Sequence, residues 1–251
     1  MAEVDPGAHE RPPARPRILI PARFSASASA LRYGAEVTAR NLAAAVFAAG
    51  GEPLVLHPHA PAGRVSDDEV AQRLAIADGV LLPGGGDLGA HWSGQDAHAS
   101  LYDVDDEQDA FDLAVARVSL AAGTPLLAVC RGLQVVNAVR GGTVVQDMEE
   151  TYGERTNHRH HVHAVAVASD TALSRIVGDK IESSCFHHQC LDRLGEGMQV
   201  VARSDEGYVE AVEIPAGPGW FLGVQWHPED TWMRDEQQFA VFAALVEAAR
   251  N

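Results

Sequence analysis

Three well-separated stretches carry the residue types that acyl transfer needs. The first is Leu126-Leu127-Ala128-Val129-Cys130-Arg131-Gly132-Leu133-Gln134. An apolar run ends in a cysteine and passes at once into a helical pattern, the strand-turn-helix layout that holds a nucleophile in an exposed, strained turn. Gly132 leaves space for the bend. The free amides and positive dipole end of the following helix favour a thiolate over a thiol. Taken alone, the stretch reads equally well as a core strand that ends in a buried cysteine.

A thiolate nucleophile needs a base, and the base needs an orienting group. Gly223-Val224-Gln225-Trp226-His227-Pro228-Glu229 offers both. His227 follows an apolar run, and Glu229 stands two residues on, past a proline that stiffens the turn. Alone this reads more readily as a surface turn; together with the Cys130 stretch the balance reverses. A third stretch, Pro83-Gly84-Gly85-Gly86-Asp87, follows another apolar run. Glycines there let backbone N–H groups of Gly84 or Gly85 point at a developing oxyanion, with the Arg131 amide as second donor.

Together these motifs resemble the class I glutamine amidotransferase superfamily. Within it the chain is similar to the gamma-glutamyl-gamma-aminobutyrate hydrolase family, peptidase C26. The narrower resemblance rests on Cys130-Arg131-Gly132, on Gly141-Gly142-Thr143 with Gln146-Asp147, and on Phe186-His187-His188-Gln189 with Asp192-Arg193-Leu194. It covers roughly residues 17–250. It implies a Cys130-His227-Glu229 hydrolase that cleaves a gamma-glutamyl amide through a thioester and releases glutamate, without metal or organic cofactor. Gly84 or Gly85 and Arg131 would hold the oxyanion. Gln134, His187, His188 and Gln189 would contact the glutamyl group. The implied partner is a small gamma-glutamyl amide in putrescine or polyamine breakdown. Two other jobs fit the same motifs: a glutaminase subunit that feeds ammonia to a separate synthase, or a non-catalytic sensor of gamma-glutamyl ligands. The chain departs from the family pattern at Ala128, where many members have glycine, at Ser184-Cys185 before Phe186, and at Leu88–Trp92 after Asp87.

His158, His160, His161 and His163 cluster in sequence. A shared metal site is disfavoured, because His160 and His161 are adjacent and would face opposite ways on a strand; a polar loop beside the site is expected. Cys185 and Cys190 read as packing residues. Lysine occurs once, at Lys180 in a stretch that reads as a loop, so lysine-based chemistry is set aside.

The elements that must position these residues follow from pattern. Strands are expected over Arg17–Pro21, Pro53–His57, Gly79–Leu82 and Leu126–Val129. They alternate with helices over Val37–Ala49, Ser66–Ala77, Asp105–Ala122 and Leu133–Arg140. Such alternation predicts a parallel sheet covered on both faces. The second half, with strands over Val162–Val167, Gln199–Arg203, Val209–Glu213 and Phe221–Gln225, predicts a smaller antiparallel extension, closed by a helix over Gln237–Arg250. The expected fold class is therefore α/β, a mostly parallel central sheet with helices on both faces (flavodoxin-like, in line with the resemblance). One domain is expected over residues 17–251, behind a disordered leader over 1–16 that does not read as a signal peptide.

Composition removes several classes. The 251 residues carry 35 Asp+Glu against 19 Lys+Arg, a net charge of -16. No window is basic enough for a nucleic-acid backbone. No apolar run approaches the ~18 residues of a membrane span. Three cysteines fit free thiols in a reducing compartment, so a cytoplasmic location is expected. A homodimer is left open.

Overall fold

The computed structural model describes residues 14–29, 31–153 and 158–251. In chain order the strands are β1 (Arg17–Pro21), β2 (Arg23–Ser25), β3 (Ala35–Val37), β4 (Glu52–Leu56), β5 (Gly79–Leu82), β6 (Leu126–Val129), β7 (Val144–Val145), β8 (Arg159–Val167), β9 (Lys180–Phe186), β10 (Cys190–Leu191), β11 (Gln199–Ser204), β12 (Val209–Glu213) and β13 (Phe221–Val224). The α-helices are α1 (Arg40–Ala48), α2 (Asp67–Leu74), α3 (Asp106–Ala122), α4 (Arg131–Val139), α5 (Met148–Tyr152), α6 (Ala172–Val177) and α7 (Glu236–Ala248).

Nine strands form one sheet in the order β4-β1-β5-β6-β13-β12-β11-β8-β9. From β4 to β13 every pairing is parallel; from β13 to β9 every pairing is antiparallel. Two small antiparallel pairs, β2-β3 and β7-β10, stand outside it. The α/β class and the antiparallel extension expected from the sequence are what the chain adopts.

Successive strand residues point to opposite faces, and both faces are buried. Ile18, Ile20, Leu81, Leu127 and Val129 pack on one side with α1, α6 and α7. Leu19, Val80, Leu82, Leu126 and Ala128 pack on the other with α2, α3 and α4. The helix ends follow ordinary capping chemistry. Ser66 accepts from the Glu69 amide at 3.1 Å, and Asp105 accepts from the Glu107 and Gln108 amides at 3.0 Å.

Several boundaries differ from expectation for local reasons. The helix predicted from Val37 begins at Arg40, because Val37 ends β3. The helix predicted from Leu133 begins two residues earlier, at Arg131, so Cys130 itself occupies the cap. Lys180 opens strand β9 and does not lie in a loop. Only Ile181 among the inward residues of β9 is aliphatic; Ser183 and Cys185 also face in, and small polar residues hide the alternation. The leader expected over 1–16 lies outside the described residues through residue 13. Arg15, inside that span, donates to the Phe47 carbonyl at 2.8 Å and lies over the Phe47 ring. No helix among the described residues is long and apolar enough to cross a membrane.

The junction of β6 and α4 depends on one glycine. A Cβ at Gly132 would lie 2.4 Å from the Leu82 carbonyl oxygen at the end of β5. Gly132→Ala is therefore expected to push the start of α4 off the sheet and to cost about 3 kcal/mol, the upper part of the usual range for overpacking. Urea unfolding checks this; a loss under about 1 kcal/mol, the lower end of that range, would refute the close-approach argument.

Candidate active site

Cys130 sits where β6 passes into α4, with φ 53° and ψ -109°. A side chain rarely adopts positive φ, and such strain persists only where the surroundings over-determine it. Here they do. The Cys130 amide donates to the Val224 carbonyl at 2.7 Å and extends the β6-β13 pairing, while the Cys130 carbonyl accepts from Leu133 and Gln134. The thiol is 6% exposed and lines a narrow niche with Gly85, Gly86, Asp87, Tyr102, Arg131 and Gln134.

His227 follows the adjacent strand β13. Trp226 before it is fully buried, and its indole N–H donates to Gln238 of α7 at 2.9 Å. The His227 amide donates to the Ser184 carbonyl of β9 at 2.8 Å. Imidazole Nδ1 meets Glu229 Oε1 at 2.7 Å, and Pro228 opens the short 3₁₀ turn that brings Glu229 back. The ring lies against Cys130 at Gly84, where an added Cβ would meet His227 Cε1 at 2.9 Å and Cys130 Cβ at 3.5 Å. Nε2 has no hydrogen-bond partner. Burial disfavours the charged imidazole, but Cys130 and Glu229 outweigh it and hold the His227 pKa well above its ordinary value.

Gly84 packs against both side chains. Gly85 lies over the Arg131 side chain, with Arg131 Cδ 3.5 Å from where a Cβ would be. Gly85 and Arg131 line the niche. Gln134 also lines it, and its Nε2 reaches Gln225 Oε1 at 3.4 Å. Gln225 in turn donates to Cys130 Sγ at 3.7 Å. His188 and Gln189 stand on the far wall of the niche. His188 Nε2 meets both Asp87 oxygens at 3.0 and 2.9 Å, tying the loop after β9 to the glycine-rich loop after β5. Gln189 Nε2 donates to the Gln146 carbonyl at 3.3 Å. His187 shares this wall but is engaged behind it: Nδ1 donates to the Gln189 carbonyl at 2.8 Å, and Nε2 turns toward buried Glu210, 3.9 Å away. Burial, then the neighbouring His158, pushes the His187 pKa well down.

The sequence reading missed a charged network beneath the site. Asp112, fully buried on α3, pairs with Arg23 at 2.7 Å and with Arg131 at 2.5 Å. Asp109 one turn earlier pairs with Arg131 and accepts from the Gly89 amide at 2.8 Å. Arg23 also donates to the Gly84 and Pro83 carbonyls at 2.8 Å each. The network therefore holds the glycine-rich loop and the start of α4 in one frame. Burial brings the Arg23 pKa down to about 10 against the pull of Asp112. Asp109 and Asp112 stand three apart, a spacing that puts both on one helix face, and that spacing is their only mark in the sequence.

The cysteines divide differently from expectation. Cys190 packs with Val145 and Met148, and burial pushes its thiol up to about 12. Cys185 does more than pack: its sulfur lies 2.9 Å from His163 Nε2. The sequence cluster of histidines also splits. His158 is buried and His163 half-buried, whereas His161 is exposed.

The chain and its fold match known proteins. The peptidase C26 family model matches residues 18–229. The chain belongs to the peptidase C26 family. It is 35% identical over 206 residues to the "Putative glutamine amidotransferase Rv2859c" of Mycobacterium tuberculosis, covering 80% of this chain and 64% of that protein's length. It is 31% identical over 223 residues to the "Gamma-glutamyl-gamma-aminobutyrate hydrolase PuuD" of Escherichia coli, covering 82% and 84%. A solved structure from Thermoplasma acidophilum, described as a "putative gmp synthase subunit a protein", superposes with a TM-score of 0.63 at 15% identity over 94% of this chain and 95% of that one. That likeness concerns the fold, which is of the class I glutamine amidotransferase type. Peptidase C26 membership supports a hydrolase of the glutamine amidotransferase-like type.

The buried charge network yields a direct test. Asp112→Asn leaves two buried guanidinium groups short of one counter-charge, and removing one partner of a buried pair costs about 3–5 kcal/mol. Chemical denaturation of the variant should show a loss of that size; a change within about 0.5 kcal/mol, the range of ordinary surface substitutions, would mean the network is dispensable.

Proposed function

We propose that the chain hydrolyses a gamma-glutamyl amide, of the gamma-glutamyl-gamma-aminobutyrate or gamma-glutamyl-polyamine type. The reading rests on one arrangement: a cysteine in a strained strand-to-helix turn, beside an imidazole that a carboxylate orients.

The chemistry follows from the charges. Protonated His227 pairs with the Cys130 thiolate, which attacks the gamma-carbonyl carbon. The carbonyl electrons move onto oxygen, where the amides of Arg131 and of Gly84 or Gly85 receive them. Collapse breaks the C–N bond, and His227 hands its proton to the leaving amine. A gamma-glutamyl thioester remains. His227, now neutral, takes a proton from water; the resulting hydroxide attacks the thioester, and glutamate leaves as the thiolate is restored. Glu229 keeps His227 in the productive tautomer throughout. Gln134, His188 and Gln189 hold the glutamyl group, with His187 bracing the loop from behind.

The leaving amine has its own place. A cleft of about 900 Å³ adjoins the niche, lined by Glu36, Asp103 and Asp105 and by Arg23 and Arg131. The likeness to the hydrolase of Escherichia coli points to the same substrate class.

Cys130→Ala is expected to reduce glutamate release from gamma-glutamyl-gamma-aminobutyrate or gamma-glutamyl-putrescine by at least about 10³-fold. Activity close to that of the unaltered protein would end this reading. Glutaminase activity that appears only with a second protein would reassign the site to ammonia supply.

The acid–base assignment has a separate signature. Activity falls at high pH as His227 gives up its proton. Because that proton is held well above the ordinary imidazole value of 6.5, the falling limb of kcat/KM lies well to the alkaline side of it. Glu229→Gln removes one of the two charges holding the proton, so the limb moves to lower pH and kcat drops by about 10²-fold. An unmoved limb would show that another group titrates.

A further inference from the structure

Behind the wall of the niche lies a cluster that the proposed reaction does not use. We propose that His158, His163, Cys185 and Glu210 bind a divalent transition metal of the zinc class, which fastens β8, β9 and β12 together behind the active site.

The four side chains come from three strands of the antiparallel half and the residue before β8, and one donor atom from each lies within 4.8 Å of every other. His158 Nδ1 stands 3.4 Å from Glu210 Oε1, and His163 Nε2 stands 3.8 Å from the same oxygen. Tetrahedral zinc, with bonds of about 2.0–2.3 Å, spaces its donors by about 3.3–3.7 Å. The closest pair, His163 Nε2 and Cys185 Sγ at 2.9 Å, would open by under about 1 Å to admit the ion.

The polar accounting points the same way. Glu210 is fully buried, and neither of its oxygens has a hydrogen-bond partner. His158 Nδ1 and His187 Nε2 are also buried without partners. A buried carboxyl whose nearest candidate donor, His158 Nδ1, stands as far as 3.4 Å is poorly satisfied. The ring tautomers sharpen the point. His163 Nδ1 lies 3.2 Å from the Ala164 carbonyl and His187 Nδ1 lies 2.8 Å from the Gln189 carbonyl. Carbonyls only accept, so Nδ1 carries the hydrogen in each ring. The neutral His163 ring then turns its Nε2 lone pair to the Cys185 thiol at 2.9 Å, with Glu210 Oε1 3.8 Å away, while the His187 Nε2 lone pair faces the Glu210 carboxyl with no partner. Burial raises the Glu210 pKa, so the carboxyl keeps a proton where no cation is bound, and a metal ion takes that proton's place between the facing donors. Metal-binding histidines commonly donate their other N–H to a backbone carbonyl in this way.

The donor set names the class of ion. One thiolate, two imidazoles and one carboxylate suit zinc; magnesium and calcium take oxygen donors. The thiolate and the carboxylate bring two negative charges, which one divalent ion neutralises. Coordination sends the Cys185 and Glu210 protons to solvent. His187 stands at the edge of this set and also lines the niche at Cys130, so the ion braces the substrate loop without entering the reaction.

The test is metal content of the full chain, purified without chelator or a histidine tag. About one zinc per chain is expected by elemental analysis, and cobalt(II) exchanged into the site should give a near-ultraviolet thiolate-to-cobalt band with visible bands of tetrahedral type. Cys185→Ser should lose the thiolate band. Glu210→Gln should weaken zinc retention at least about tenfold. Cys130→Ala should keep both metal and band, which separates this site from the nucleophile whatever the outcome for hydrolysis. Folding of each variant is followed by circular dichroism; if Cys185→Ser does not fold, the cobalt spectrum of the unaltered and Cys130→Ala proteins decides. Less than about a tenth of an equivalent of zinc after incubation with zinc, with no cobalt–thiolate band in either protein, would overturn the proposal and leave the cluster as a proton-holding network.

Discussion

The arrangement around the candidate site depends on the backbone of Cys130. A left-handed residue between a parallel strand and a helix is costly in isolation. It is held because both flanks are fixed: Val224 binds the Cys130 amide, and α4 begins at once behind it. Gly132 permits the close approach of α4 to β5 that this requires. The same turn aims the sulfur along the edge where parallel strands end and where open α/β sheets place their ligands.

Two buried polar layers support that turn. On one side Arg23, Arg131, Asp109 and Asp112 clamp the glycine-rich loop to α4. On the other, Asp87 reaches across to His188 and closes the wall. Charges taken out of water need partners with good geometry, so each layer narrows the positions its loops can take. The site is framed by buried charge pairs that fix its loops and by the aliphatic packing of the strands that carry them.

Much of this was legible in the sequence, for physical reasons. Cys130 and His227 each follow a short apolar strand, with Glu229 two residues past His227, and strands buried on both faces announce themselves as unbroken aliphatic runs. The parallel half was clear for the same reason. What was hidden lacks local pattern. β9 turns Ser183 and Cys185 inward, and small polar residues do not mark a strand. Glu210 lies in Val209–Glu213, where every residue is buried, so alternation says nothing about it. Arg23 and Asp112 are 89 residues apart, and only the folded sheet brings them together. Histidines 158 and 163 drew attention as a sequence cluster, but their partners Cys185 and Glu210 come from other strands.

The pairing of β6 with β13 has a consequence for biogenesis. The strand bearing the sulfur is synthesised about a hundred residues ahead of the one bearing the imidazole, and the two become neighbours only when the antiparallel half docks. A nascent chain thus carries Cys130 without its imidazole and carboxylate neighbours until β13 is paired beside β6.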